Sequence, residues 1–140
     1  MSWIIFAFLS AVFAALTAIL AKIGIKNVDS NLATAIRTLV IVIFAWGIVF
    51  FQGTHKQITS LSSYTMLFLV LSGIATGLSW LFYFRALQLA DASKVAPIDK
   101  FSLVLTIIFA VLLLKEKLSL SIIIGVVLIS VGTLIISLTK

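Results

Sequence analysis

Charges inside apolar runs are the first place to look for chemistry in this chain. Asp99 and Lys100 follow Pro97 and precede the uncharged stretch Phe101–Leu114. Placing one charge at the centre of an apolar span costs roughly 2.5–3.5 kcal/mol on insertion scales, so a charge kept there calls for a task. Asp99, Ser102 and Thr106 recur at i, i+3 and i+7, which is one helix face. Arg37 is the next such charge. It stands about five residues into its apolar run, roughly 7–8 Å deep at 1.5 Å per residue. Its length permits snorkelling back to the interface, whereas Thr34 and Thr38 beside it favour a polar interior face. A third group is a hydroxyl stripe, Ser72, Thr76, Ser79 and Tyr83, at helical spacing. Gly73, Gly77, Trp80 and Phe84 repeat the spacing one residue later. Such hydroxyls either line a cavity or bond their own helix carbonyls. Gly73 and Gly77 form a GxxxG pair, which lets helix backbones approach closely.

Together these residues suit the binding of a small molecule rather than its conversion. Lys22, Arg37 and Lys100 against Asp99 make a net basic set, which favours an anionic or zwitterionic ligand. Trp80 and Tyr83, nearly one turn apart, offer an aromatic wall. The candidate substrate-binding residues are Arg37, Ser79, Trp80, Tyr83, Asp99, Lys100 and Thr106. Asp99 is expected to pair with Arg37 or Lys100. No Gly-x-Ser-x-Gly or His-Glu-x-x-His motif occurs, nor an acid pair at helical spacing in a span, so catalysis finds no support. The chain has no cysteine and one histidine. That histidine, His55, sits in a polar connection without partners at ligand spacing. No metal, no cofactor and no catalytic residue is expected.

The elements that must hold these residues are membrane helices. The chain has 140 residues, 63% of them hydrophobic and 10% charged, against about 45–50% and about 25% in soluble domains. The formal net charge of +6 would suggest nucleic acid in a polar chain. Here the basic residues stand singly near helix ends, so they read as membrane anchors and nucleic acid is excluded. Runs of about 20 apolar residues span the hydrocarbon core. They occur at about 3–25, 32–51, 64–85, 95–114 and 119–138, giving an all-α integral membrane protein with a bundle of five transmembrane helices. The first run lacks the basic flank of a signal peptide and is too long for one, so it is expected to be retained. Asp29, Ser30 or Asn31 is placed to cap the second helix, and Ser119 or Ser121 the fifth. Pro97 and Asp99 suit the first turn of the fourth, where a missing N–H is harmless and the helix dipole favours an acid. Neither linker nor internal repeat is visible, so residues 1–140 read as one transmembrane domain.

The runs Tyr83–Leu87, Ala90–Lys100 and Lys115–Ser119 carry a resemblance. They resemble the third and fourth helices of the EamA domain of the drug/metabolite transporter superfamily, and the length is similar to its five-helix, half-size bacterial and archaeal branch. The similarity is densest over Gly73–Ser119. Lys115 stands where the family often has Gly before the Glu, and the stretch after Phe101 lacks the proline common there in mid-helix. The resemblance implies a multi-pass protein of the cell membrane, inner or cytoplasmic, that moves a small molecule.

An odd number of spans puts the two termini on opposite membrane faces. The face bearing the N-terminus carries Lys56, Lys115 and Lys117. The other carries Lys22, Lys26, Arg85, Lys94 and Lys140, with Arg37 and Lys100 close to it. The bias leans toward a cytoplasmic placement of the second face and is weak enough for dual topology. The polar stripes approach the same face, which predicts a vestibule open there and closed by apolar packing toward the N-terminal face. One such chain is a dead end. Two in opposite orientation supply the inverted repeat by which transporters alternate access. A homodimer, possibly antiparallel, is therefore expected, with Gly125 and Gly132 of the fifth helix at the interface. The leading expectation is a secondary transporter of an anionic or zwitterionic metabolite. The alternatives are a cation exporter similar to the small multidrug exporters, for which Asp99 is the candidate carboxylate, and a non-transporting membrane subunit or scaffold.

Overall fold

The apolar runs become helices because lipid offers backbone amides no partner, so each must satisfy itself within its own helix. The computed structural model describes residues 2–138; Lys140, part of the charge bias above, lies outside them. Its elements are α1 (Trp3–Gly24), α2 (Ser30–Phe51), a 3₁₀ helix (Thr54–Ser60), α3 (Ser63–Leu89), α4 (Ala92–Asp99), α5 (Phe101–Leu114) and α6 (Leu120–Leu138). Five helical segments have the length and hydropathy to cross a membrane, with α4 and α5 together making the fourth, Ala92–Leu114.

Local signals account for most boundaries. The Asp29 carboxylate accepts from the N–H groups of Asn31 at 2.9 Å and Leu32 at 3.1 Å, so it is the cap of α2 among the three candidates. Ser119 Oγ accepts from the Ile122 N–H at 3.4 Å and opens α6. Lys115 ends α5 in the left-handed region at φ 57° and is the positive-φ residue other than glycine among those described. The Glu116 N–H then reaches back to the Ala110 carbonyl at 3.2 Å. That geometry is the one glycine adopts most readily at a helix end.

Three boundaries differ from the sequence reading. α3 does not stop at Arg85 but runs on to Leu89, because Ala86, Leu87 and Gln88 are good helix formers and an arginine near a membrane surface does not itself break a helix. The connection left between the spans at 64–85 and 95–114 shrinks, since Ser93 and Lys94 already belong to α4. Pro97 therefore lies inside α4 rather than in a first turn. Without an N–H it leaves the Ser93 carbonyl without its helical donor. The helix ends two residues later, where the Lys100 N–H is shared between the carbonyls of Ala96 at 3.3 Å and Pro97 at 3.1 Å. Asp99 thus closes α4 instead of sitting in the first turn of one long helix.

By its packing the chain divides into two compact units. One is residues 19–89 and the other comprises the described residues before and after them. In the first, α2 packs along α3 and the 3₁₀ helix folds against α2; in the second, α6 packs on α4 and α5. The buried residues of the first unit are Ile25, Ser30, Thr34, Phe84 and Leu87, and Leu87 is fully buried at 0% exposure. All lie where α1 ends, α2 begins and α3 ends. In the second unit the buried residues are Ala18, Val95 and Thr133. Phe13, Phe44, Leu67 and Leu113, toward the opposite helix ends, are exposed. Within residues 19–89, the buried residues thus lie at the end where the sequence reading placed the opening. The unit of residues 19–89 is tightest at the end that bears Lys22 and Arg85, and the other, taken by itself, is tightest around Val95 and Thr133. The physical reason is that large apolar side chains gain little from each other when lipid tails are an equally good solvent. Small residues and polar bonds decide instead where helices close.

Candidate substrate site

Arg37 lies on α2 one turn after Thr34 and meets α3 on an aromatic face. Its guanidinium carbon stands 4.3 Å from the centroid of the Trp80 ring and 5.2 Å from that of Phe84. Trp80 and Phe84 can both reach it because residues four apart on a helix are neighbours on one face. A cation over an aromatic face is held by the ring quadrupole, by about 2 kcal/mol or more where water is excluded. This geometry decides between the two readings of Arg37: the side chain turns to the neighbouring helix. Since α2 begins at Ser30, Arg37 lies about 10 Å from the helix start at 1.5 Å per residue, and still about five residues into the apolar run. The acid within residues 19–89 is Asp29, and its carboxylate is committed to the start of α2. Stacking on rings leaves the N–H edges of a guanidinium pointing outward, which is the fork that matches a carboxylate.

The hydroxyls around this stack have committed their protons. Thr34 Oγ1 donates to the Ser30 carbonyl at 2.8 Å and Thr38 Oγ1 to the Thr34 carbonyl at 2.8 Å. Thr76 does the same toward Ser72 at 2.9 Å. These oxygens therefore present lone pairs and act as acceptors. Tyr83 is half-buried and Ser79 is exposed. Of the stripe on α3, it is the Trp80–Phe84 edge that the structure brings onto Arg37.

In the other unit, Asp99 and Lys100 pair with each other. The ammonium stands 3.6 Å from the carboxylate, with the side chains 60% exposed for Lys100 and 36% for Asp99. Pairs so exposed contribute about 0–1 kcal/mol. Lys100 is thus one of the two partners expected for Asp99, reached by adjacency in sequence. Thr106 is exposed and returns its proton to the Ser102 carbonyl at 2.8 Å. Thr133 of α6 approaches the Pro97 carbonyl at 3.4 Å, so the proline region is held by a hydroxyl from the helix it packs on. A Cβ built at Gly125 or Gly132 meets nothing within 4 Å, and the same holds for Gly73 and Gly77. The close approach these glycines permit is not used by the described residues within either unit.

Sequence reasoning missed two residues here. Gln88 donates from Nε2 to the Val28 carbonyl at 2.6 Å, and Lys22 donates to the Leu87 carbonyl at 2.6 Å. Gln88 is one polar residue near a span end and carries no periodic signal of its own. Lys22 was legible as basic but not as a bond to α3. His55 is given no role by the sequence. It is half-buried in the 3₁₀ helix, 5.2 Å from the Phe50 ring, and its Nδ1 is buried without a hydrogen-bond partner.

Five membrane-length helical segments among the described residues, one of them holding a stacked cation, define a polytopic α-helical membrane protein. Comparison with known proteins assigns the kind. Residues 1–138 match the EamA-like transporter family, and the chain belongs to it. It is 50% identical over 136 residues to a protein of Sinorhizobium sp. named "uncharacterized transporter in cobO 3'region", covering 97% of this chain and 96% of that one. No solved structure matches it. The chain is thus a half-size, multi-pass member of a family of membrane transporters, and this membership points to transport rather than catalysis.

Proposed function

We propose that this protein is a secondary transporter of the inner, cytoplasmic membrane that moves a small anionic or zwitterionic metabolite by alternating access as a homodimer. One observation carries the reading. Arg37 stands within a membrane span, stacked on Trp80 and Phe84, while the acid of its own unit is occupied elsewhere. A cation held at that depth is costly, and a ligand carboxylate is the counter-charge it lacks. Trp80 and Tyr83 then flank the ligand. Ser79 supplies a hydroxyl from the same helix; in the other unit, taken by itself, Asp99 with Lys100 and the Thr106 hydroxyl are the polar groups we propose for ligand contact. A ligand that binds the folded state raises its apparent stability, by about 2.7 kcal/mol at a hundredfold excess over Kd. A thermal-shift screen on the detergent-purified chain should thus give hits among amino acids and organic acids that vanish in Arg37→Gln. Hits confined to hydrophobic cations, lost in Asp99→Asn, would instead support a cation exporter.

The dimer rests on the open faces of Gly125 and Gly132, which are seven residues apart on α6. Small residues are where membrane helices associate closely. Gly132→Leu is expected to weaken the dimer about tenfold while the monomer still inserts, as read by cross-linking against dilution in detergent. Single cysteines replacing Lys56 and Lys94, probed with an impermeant reagent on intact cells, report orientation. Labelling at both means dual topology and an antiparallel pair. Labelling at one alone would end the antiparallel homodimer.

A further inference from the structure

The C-terminal end of α3 is tied to the turn between α1 and α2 by side chains rather than by apolar packing alone. The Lys22 ammonium donates to the Leu87 carbonyl at 2.6 Å. Gln88 Nε2 donates to the Val28 carbonyl at 2.6 Å and at longer range to that of Ile25 at 3.5 Å. The Arg85 guanidinium donates to Gln88 Oε1 at 3.1 Å, which fixes the amide with its N–H groups toward the turn. The buried residues of this unit gather beneath these bonds. Phe84, one turn before Gln88, is one of the rings that hold Arg37, and Trp80 lies about 12 Å from Gln88 along the helix at 1.5 Å per residue.

A cavity of about 480 Å³ lies against the same bonds, lined by Lys22, Ile23, Ile25, Lys26, Leu87 and Gln88. That space matters for what the bonds can do. A buried carbonyl that loses its donor pays the full cost of an unmet polar group unless water replaces it. Here water has room to enter beside the carbonyls of Leu87 and Ile25 as the side chains withdraw, and a bridging water is nearly as good a partner. The bonds to Leu87 and Ile25, and the Gln88 amide itself, can therefore be exchanged for water without orphaning polar groups, which a purely structural tie does not require.

We infer that Gln88 and Lys22 form a latch that closes this end of the α2–α3 pair over the Arg37–Trp80 stack, and that the site opens toward this end when the latch bonds are exchanged for water. The purpose of the latch rests on the transport reading; its closure does not. The opposite ends of α2 and α3 carry no buried residues, so the structure corresponds to the state closed at the latch.

The chain has no cysteine, so one introduced thiol reports on it directly. Thr34, 5% exposed beneath the latch, is replaced by Cys, and its reaction rate with a water-soluble maleimide is measured on detergent-purified protein. Gln88→Leu removes every latch bond of that side chain. Gln88→Glu keeps the acceptor for Arg85 but turns carboxylate oxygens toward the Val28 carbonyl. Both should raise the labelling rate about tenfold, the scale of one or two lost hydrogen bonds, with the protein still monodisperse. Unchanged rates in both folded variants would reduce Gln88 to a helix-end cap and overturn the latch. Aggregation of both would overturn it equally, because a gate must break these bonds in a folded protein. Absence of flux from the wild-type chain would count against the transport reading and leave the labelling result standing.

Discussion

Arg37 and Lys100 are both cations placed in apolar spans, and the chain treats them in opposite ways. Lys100 has an acid next door in sequence, breaks its helix, and leaves its side chain 60% exposed. Arg37 has neither an acid neighbour nor a helix break. It is set in the middle of continuous α2 and laid 4.3 Å from the centre of an indole of the next helix. A neutralised, exposed pair is inexpensive and can be kept for local reasons such as ending α4 after Pro97. A cation held on ring faces keeps much of its electrostatic demand. The difference teaches that the more conspicuous motif, Asp-Lys after Pro, is the weaker functional candidate, and the isolated arginine the stronger.

Substitutions can break or sharpen that contrast. The largest effect is expected from Arg37→Gln, which removes the charge but keeps hydrogen-bonding atoms. Truncating one member of a desolvated charge pair costs about 2–5 kcal/mol, so ligand affinity should fall about 30-fold or more, measured as Kd by titration calorimetry. Trp80→Leu keeps apolar bulk and loses the ring that orients the guanidinium. Affinity should fall about 5–30-fold from the cation–π contribution alone. Arg37→Lys should behave nearer to Arg37→Gln than to wild type, because an ammonium neither stacks flat nor presents a fork. The smallest effect is expected from Asp99→Asn, about 0–1 kcal/mol in stability by denaturant titration. A loss of 3 kcal/mol or more would mean that the pair is buried in the working assembly and would invert the contrast.

How much of this was legible in the sequence follows from what each signal is made of. The five spans were legible because hydropathy over twenty residues is a strong sum, and the cap at Asp29 because few side chains can do that work. The left-handed turn at Lys115 was foreshadowed by the glycine that the family often has there. Replacing Lys115 with Gly should stabilise the fold by about 1 kcal/mol, since a side chain in that conformation is strained by about that much; an unchanged melting temperature would mean the lysine bonds make up the difference. Arg37 and Trp80 could each be named, but not as partners, because their meeting depends on the rotation of α2 against α3 and no periodicity encodes that. Gln88 was invisible for the same reason: its acceptors are backbone carbonyls, which any residue supplies. The bonds that close residues 19–89 at one end were not legible, because the hydroxyls there bond their own helix carbonyls and the ties between helices come from Lys22 and Gln88, outside the polar stripes.

The central claim is that Arg37 carries the substrate's negative charge across the membrane-spanning site. Uptake of amino acids and organic acids into proteoliposomes, comparing wild type, Arg37→Gln and Asp99→Asn at equal incorporation, tests it most directly. The account predicts flux of at least one carboxylate-bearing solute by the wild type, near-abolition in Arg37→Gln, and flux within about threefold of wild type in Asp99→Asn, the scale of an exposed pair. Undiminished carboxylate flux in Arg37→Gln, or flux of cations alone that disappears with Asp99, would contradict it.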